Sequence, residues 1–148
     1  MEYDKLQIPL SIREEVIAHC QRHYPKEACG LLAADATGAI VQMYPMKNIE
    51  NTAIGYAMDP KQQLLVEKQM RQQGQQLVGI FHSHTASAAE PSSVDIELAI
   101  SPDVAYVLVS LKDQSNPDFK SYRINGAEVT PMRVLVANPD GTVRYQPE

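Results

Sequence analysis

Two histidines and an aspartate stand at a spacing that could bind a metal ion. The chain reads His-Ser-His over residues 82–84 and Ser-Ser-Val-Asp over residues 92–95. In an extended strand, side chains two positions apart leave the same face, so both imidazoles can converge on one ion. Two imidazoles and a carboxylate leave a fourth coordination position open. Catalytic zinc sites keep three protein ligands and a water, whereas structural sites fill all four positions. The ligand types therefore favour catalysis.

The aspartate also has a simpler explanation. Ser92 and Asp95 have the spacing of a helix N-cap and an acid at the third helical position, and such pairs occur wherever helices begin. On that interpretation both residues only cap a helix. Ser93 could equally be the cap, which would leave the Ser92 hydroxyl facing the metal. The sequence leaves these alternatives open.

A water activated by a metal still needs a group that shuttles its proton. Glu27 is the candidate, because it precedes the apolar stretch 28–32 and would project from a sheet edge with buried neighbours. The alternative is a surface glutamate at the start of a strand. Three other acids are interpreted as solvated side chains: Glu67, Glu90 and Glu97.

Helix signals predict three helices. Ser11 and Glu14 form a capping box ahead of the first helix, and Tyr24-Pro25 closes it. Asp59 supplies an N-cap and Pro60 a first helical position for the second. The predicted helices cover residues 11–22, 60–74 and 92–100.

Apolar runs between turn signals predict a mixed sheet covered by these helices. Residues 35–38 have the composition of a turn, and Asn125-Gly126 is the strongest hairpin signal in the chain. The pattern predicts an α/β fold in one domain, residues 1–148. The predicted strands cover residues 27–33, 39–45, 55–58, 77–82, 105–111, 121–124 and 129–136.

Composition narrows the class of partner. The chain has 148 residues and a formal net charge of -5, which argues against nucleic acid and anionic membrane surfaces. No apolar run approaches the roughly 20 residues needed to cross a bilayer, and the amino end lacks an export pattern. We therefore expect a cytoplasmic protein. Cys20 and Cys29 are too few for a disulfide scaffold, and we expect both to be reduced and buried.

Glu27 upstream and the spacing His82-x-His84-x7-Ser92-x2-Asp95 downstream resemble the JAMM metalloproteases of the Mov34/MPN/PAD-1 superfamily. The resemblance spans nearly the whole chain, as in a small bacterial-type single-domain member. It implies a mixed, partly closed sheet flanked by helices, similar to the cytidine-deaminase architecture. It also implies that zinc is bound by His82, His84 and Asp95, with Glu27 as the general acid/base and Ser92 as a hydrogen-bond donor to the oxyanion.

The implied activity is hydrolysis of an amide bond at the carboxy-terminal tail of a ubiquitin-like or sulfur-carrier protein. We expect residues 49–58 to offer an edge where such a tail adds as a strand. Many relatives have proline where this chain has Thr85, so we also expect a looser loop after His84.

Two alternative functions belong to other classes of protein. A non-catalytic MPN scaffold that binds protein partners is the alternative, although such relatives usually lack a metal ligand and none is missing here. A zinc nucleobase deaminase needs His-x-Glu and Pro-Cys-x-x-Cys elements, and neither occurs in the sequence.

Overall fold

The chain folds around a curled mixed sheet. The structure is a computed structural model, and it describes residues 4–50, 55–99 and 101–147. The helices are α1 (Leu10–His23), α2 (Pro60–Gln72) and α3 (Ser93–Leu98). The strands are β1 (Lys5–Pro9), β2 (Cys29–Ala34), β3 (Ile40–Met46), β4 (Gln76–His84), β5 (Ala105–Ser110), β6 (Asp118–Asn125), β7 (Glu128–Ala137) and β8 (Val143–Tyr145).

The strand order is β1-β7-β6-β5-β4-β2-β3, and β8 pairs with β7. The pairs β1/β7 and β4/β5 are parallel, and the other pairs are antiparallel. The end strands β1 and β3 contact each other, so the sheet is nearly closed. The predicted fold class, a mixed and partly closed sheet flanked by helices, is confirmed.

Apolar side chains fill both faces of the central strands. Helix α1 buries Ile12, Val16 and Cys20 at four-residue spacing in the core inside the curl. Helix α2 packs Met70 on the opposite face, where Cys29 is also buried. Both cysteines are free thiols with no exposed surface, as predicted. All six residues of β2 are buried, because layers cover both of its faces.

The predicted start of the first helix is wrong. Helix α1 begins at Leu10, its N-cap is Pro9, and no side chain caps it, so Ser11 and Glu14 do not form a capping box. Strand β1 ends at Pro9 and runs directly into the helix, which leaves no room for a separate cap. The second helix starts as predicted, with the Lys61 N–H donating to Asp59 Oδ1 at 3.0 Å.

Both predicted hairpins are present. Strands β2 and β3 pair antiparallel around the turn at residues 35–38, and Gly126 has a φ of 60° between β6 and β7. The extended stretch predicted at 55–58 is limited to one bridge between Asn48 and Met58. Strands β1 and β8 were missed, because five and three residues are too short for a clear periodic signal. Among the described residues, no helix is long and apolar enough to cross a membrane.

Candidate metal centre and catalytic cleft

Strand β4 carries both histidines into the centre of the sheet. It lies between β2 and β5. Strand β2 pairs with it at His82, and strand β5 pairs with it at both His82 and His84. The two imidazoles leave the same face of the strand, and their Nε2 atoms lie 3.2 Å apart. His82 is 4% exposed and His84 is 7% exposed. The strand therefore holds two ligand-type nitrogens together in a site shielded from solvent.

Helix α3 brings Asp95 to the same point. Its Oδ1 lies 3.1 Å from His82 Nε2, and its Oδ2 lies 3.0 Å from His84 Nε2. Ser92 is the N-cap of this helix: its Oγ accepts from the Asp95 N–H at 3.1 Å, and its own N–H donates to Asp95 Oδ2 at 2.9 Å. The alternative with Ser93 as the cap is therefore wrong. Asp95 therefore takes part in the helix cap and also lies against both histidines.

The hydrogen-bond partner of His84 Nδ1 determines which ring nitrogen carries the proton. His84 Nδ1 lies 2.9 Å from the Ala88 carbonyl, which only accepts, so this nitrogen carries the ring proton in the neutral imidazole. His84 Nε2 then presents a lone pair to His82 Nε2 and to a carboxylate oxygen. In metal-binding histidines, a hydrogen bond from the other ring nitrogen to a carbonyl fixes the tautomer in this way.

The spacing of the ligand atoms fits a small tetrahedral ion. Zinc binds nitrogen and oxygen at about 2.0–2.1 Å, which places tetrahedral ligand atoms about 3.3 Å apart. The observed contacts among His82, His84 and Asp95 are 3.0 to 3.2 Å. The residues present therefore fit a metal ion.

Burial and the aspartate set the charges of the site. Burial lowers the pKa of His82, against the raising effect of Asp95. Burial also disfavours the charged form of His84, but in that form both ring N–H groups donate, to Asp95 and to Ala88, and this raises its pKa. Burial opposes ionisation of Asp95, yet hydrogen bonding to His82 and to the protonated form of His84 holds its pKa far below the usual range. Asp95 is thus an anion at neutral pH and can bind a cation.

Glu27 lies at the edge of this cluster. A carboxylate oxygen of Glu27 and one nitrogen from each of His82 and His84 lie within 4.8 Å of one another. Glu27 is 6% exposed, and its Oε2 is buried without a hydrogen-bond partner among the described residues. Burial raises the pKa of this carboxyl to about 7. A carboxyl with such a pKa can both accept and donate a proton near neutral pH.

Two polar side chains hold the backbone around Glu27. The buried Ser83 Oγ accepts from the Ala28 N–H at 2.8 Å, and the Ser83 N–H donates to the Ala28 carbonyl at 3.0 Å. Asn48 Nδ2 donates to the Glu27 carbonyl at 2.9 Å. The sequence predicted that Glu27 begins a strand and projects from a sheet edge, but β2 begins two residues later, at Cys29. The alternative of a surface glutamate is wrong, because Glu27 is buried. Glu90 and Glu97 are exposed, as predicted, and Glu67 is half-buried.

A cleft of about 390 Å³ opens beside the cluster. Tyr56 lines it and stacks on the His82 ring, with centroids 4.3 Å apart and planes inclined by 24°. Exposed Val94 and Leu98, on either side of Asp95 in α3, form its apolar rim. Tyr56 was not predicted to be part of the site, because no motif connects it to the histidines.

The loop after His84 is held by side chains from three elements. The carbonyls of residues 87, 88 and 89 accept hydrogen bonds from Ser110 Oγ at 2.6 Å, His84 Nδ1 at 2.9 Å and Tyr122 Oη at 2.6 Å, respectively. These bonds anchor residues 87–89, a few positions after Thr85. The looser loop that we expect from Thr85 in place of proline stays a prediction.

Similar proteins carry the same kind of domain. A peptidase from Mycobacterium tuberculosis called CysO-cysteine peptidase is 40% identical over 116 residues, 78% of this chain and 80% of its own. A Haloferax volcanii protein called desampylase is 27% identical over 116 residues, 74% of this chain and 84% of its own.

A solved structure matches the fold closely. The solution structure of a Desulfitobacterium hafniense protein superposes with a TM-score of 0.81 at 33% identity, over 89% of this chain and 92% of the other. Residues 9–125, which include every element from the end of β1 to β6, match the prokaryotic homologs of the JAB domain. This chain belongs to that family.

Proposed function

We propose that the protein is a zinc-dependent peptidase that hydrolyses an amide bond at the carboxy-terminal tail of a ubiquitin-like or sulfur-carrier protein. The observation that carries the proposal is the contact of two imidazole nitrogens and one carboxylate, with the His84 lone pair aimed into it. His82, His84 and Asp95 would bind the ion. Glu27 would act beside them without coordinating it.

Each residue has a distinct task in this reaction. When bound, zinc supplies Lewis-acid polarisation of the carbonyl and acidifies a water molecule. Glu27 takes the proton of the attacking water and delivers it to the departing amine nitrogen, a role that its pKa of about 7 supports. The Ser92 hydroxyl accepts from the Asp95 N–H and retains its own proton, so it can donate to the carbonyl oxygen as negative charge develops.

The similar proteins support the substrate class. The Mycobacterium relative is called CysO-cysteine peptidase, and the Haloferax relative is called desampylase. A relative from Thermus thermophilus, 34% identical over 95 residues, is called a probable TtuB-protein conjugate cleaving protease. A buried glutamate beside two histidines and an aspartate favours an enzyme over a non-catalytic scaffold.

Three further expectations belong to this proposal. We infer a cytoplasmic location and a single domain over residues 1–148. We also infer that a substrate tail pairs beside residues 49–58, of which residues 51–54 lie outside the described part of the chain. A proline at Tyr56 would test that pairing poorly, because it would also remove the ring that stacks on His82.

The test combines metal analysis with mass spectrometry of a carrier-protein adduct. We expect the parent to bind one zinc and to remove the group attached at the Gly-Gly end. Glu27→Gln should bind zinc equally and lose about 10²- to 10⁴-fold in kcat. Exposed Glu97 lies on α3 beside the site, so Glu97→Gln is the matched control and should match the parent. Normal turnover by Glu27→Gln, or hydrolysis that survives complete removal of metal, would overturn the proposal.

A further inference from the structure

A basic depression adjoins the catalytic cleft at Glu27. Its volume is about 450 Å³. Its lining residues come from the end of α1, the turn that follows it, and the segment after β3: His23, Lys26, Glu27, Lys47, Asn48 and Ile49. Glu27 is the one described residue that lines both this depression and the cleft. The proposed acid/base therefore stands on the boundary between two spaces.

The two spaces differ in charge. The described lining of the cleft contains three acids, Glu27, Glu50 and Asp95, and neither lysine nor arginine. The depression gathers Lys26 and Lys47 in a chain whose net charge is -5. The two lysines would attract an anionic group next to the scissile bond into the depression.

The fold holds both lysines on fixed backbone. The Lys26 N–H donates to the His23 carbonyl at 2.9 Å, in the turn that closes α1. The Lys47 N–H donates to Gln62 Oε1 of α2 at 2.9 Å. Asn48 joins the two segments through its bond to the Glu27 carbonyl. The lysine side chains themselves are exposed and can reach a ligand.

We propose that the basic depression binds the free α-carboxylate of a single amino acid, which leaves as the amine product. This inference rests on the proposed function. In the hydrolysis, the water oxygen bonds to the carbonyl carbon, the C–N bond breaks, and the proton held by Glu27 passes to the departing nitrogen. That nitrogen must therefore lie against Glu27, at the mouth of the depression.

The chemistry of the leaving group decides what reaches the lysines. In an α-amino acid the carboxyl carbon is about 2.5 Å from the amine nitrogen, so a nitrogen held against Glu27 brings the negative charge within reach of the depression that Glu27 also lines. In an isopeptide the departing nitrogen is a lysine ε-amine, four methylenes from the α-carbon, and the α-carboxyl is consumed in a peptide bond. The depression thus selects an amino-acid adduct over a protein conjugate, while exposed Ile49 offers apolar contact to a small side chain.

The experiment compares two adducts that differ only in charge. A ubiquitin-like carrier ending in Gly-Gly is extended by one cysteine, either as the free acid or as the cysteinamide. For the zinc-loaded parent we expect kcat/KM for the acid to exceed that for the amide by on the order of tenfold, as for a charge-assisted contact. Lys26→Gln/Lys47→Gln should reduce this ratio towards one. Lys112→Gln, at an exposed lysine that lines neither space, should keep the parent's ratio.

Binding gives a second readout that needs no turnover. Calorimetry with metal-free protein should show the same preference for the acid adduct in the parent and its loss in the double variant. Equal kcat/KM or equal affinity for acid and amide in the parent would overturn the carboxylate site and leave the peptidase intact. Tighter binding of the acid without any hydrolysis would support the site and overturn the proposed function instead.

Discussion

Ser92 serves its helix and the candidate reaction through different atoms. Its Oγ accepts from the Asp95 N–H, its backbone N–H donates to Asp95 Oδ2, and its hydroxyl proton is left for a ligand. Removing the hydroxyl therefore leaves one of the two bonds to Asp95 in place.

We predict that Ser92→Ala retains the metal but lowers kcat by roughly 10²- to 10³-fold, the usual cost of removing an oxyanion donor. The loss of the cap should also lower the free energy of unfolding by about 1 kcal/mol. Zinc content, steady-state kinetics and urea unfolding measure these effects separately. Ser93→Ala is the control, because the neighbouring serine does not cap α3. Loss of zinc from Ser92→Ala would show that the serine acts only by orienting Asp95.

Strand β4 has a different task on each face. His82 and His84 leave one face towards the candidate metal, while Ser83 leaves the other and bonds to Ala28, the neighbour of Glu27. The strand thus positions the proposed ligands and the proposed acid/base with three consecutive residues.

We predict that Ser83→Ala lowers the free energy of unfolding by about 1–3 kcal/mol, because the buried Ala28 N–H loses its acceptor. It should also lower kcat with little change in KM, since Glu27 loses its fixed position. Ser121→Ala is a matched control: this serine is equally buried and bonds to Met132 Sδ, away from the cluster. If both variants kept full kcat, Ser83 would be a purely structural residue.

Helix α1 is connected to β2 by His19, whose Nε2 lies 3.1 Å from the Cys29 carbonyl. Burial lowers the pKa of His19 below its ordinary 6.5. Below pH 6.5 the unfolded chain therefore binds a proton that the folded chain does not, and the free energy of unfolding falls as the pH falls.

We predict that His19→Gln, which can still donate to Cys29, flattens this dependence. Urea unfolding of the metal-free proteins between pH 7.5 and 5 should show the parent losing more free energy of unfolding than the variant. Parallel curves for the two proteins would mean that His19 is not kept neutral by its burial.

At the scale of the whole molecule, the candidate metal centre joins parts of the chain that are distant in sequence. Its residues come from the segment before β2, from the end of β4 and from the first turn of α3. Helix α3 has six residues and fully buries none of them; Ile96 packs against the core, and Asp95 connects the helix to the two histidines.

We predict that zinc at about 100 times its dissociation constant stabilises the metal-free protein by roughly 2.7 kcal/mol. For a chain of this size that corresponds to a rise in Tm of about 5–10 °C. Asp95→Asn should show most of this rise abolished, whereas Asp103→Asn, at an exposed aspartate, should keep it. Thermal scans with and without a chelator measure it, and an equal rise in Asp95→Asn would exclude Asp95 from the metal centre.

Local patterns in the chain predicted the sheet, the three helices and the shared face of His82 and His84, because strand alternation and helix capping act within a few residues. They left Asp95 open between a helix cap and a metal ligand, and the family resemblance assigned it to the metal. The local patterns missed strands β1 and β8, and they assigned α1 the wrong cap, since chain connectivity there overrides the capping pattern.

The surroundings of these residues depend on the three-dimensional fold. The burial of Glu27, the stacking of Tyr56 on His82 and the gathering of Lys26 with Lys47 all depend on contacts between segments far apart in the chain. Local periodicity carries no information about such contacts, because they form when the curled sheet brings strand ends and loops to one edge.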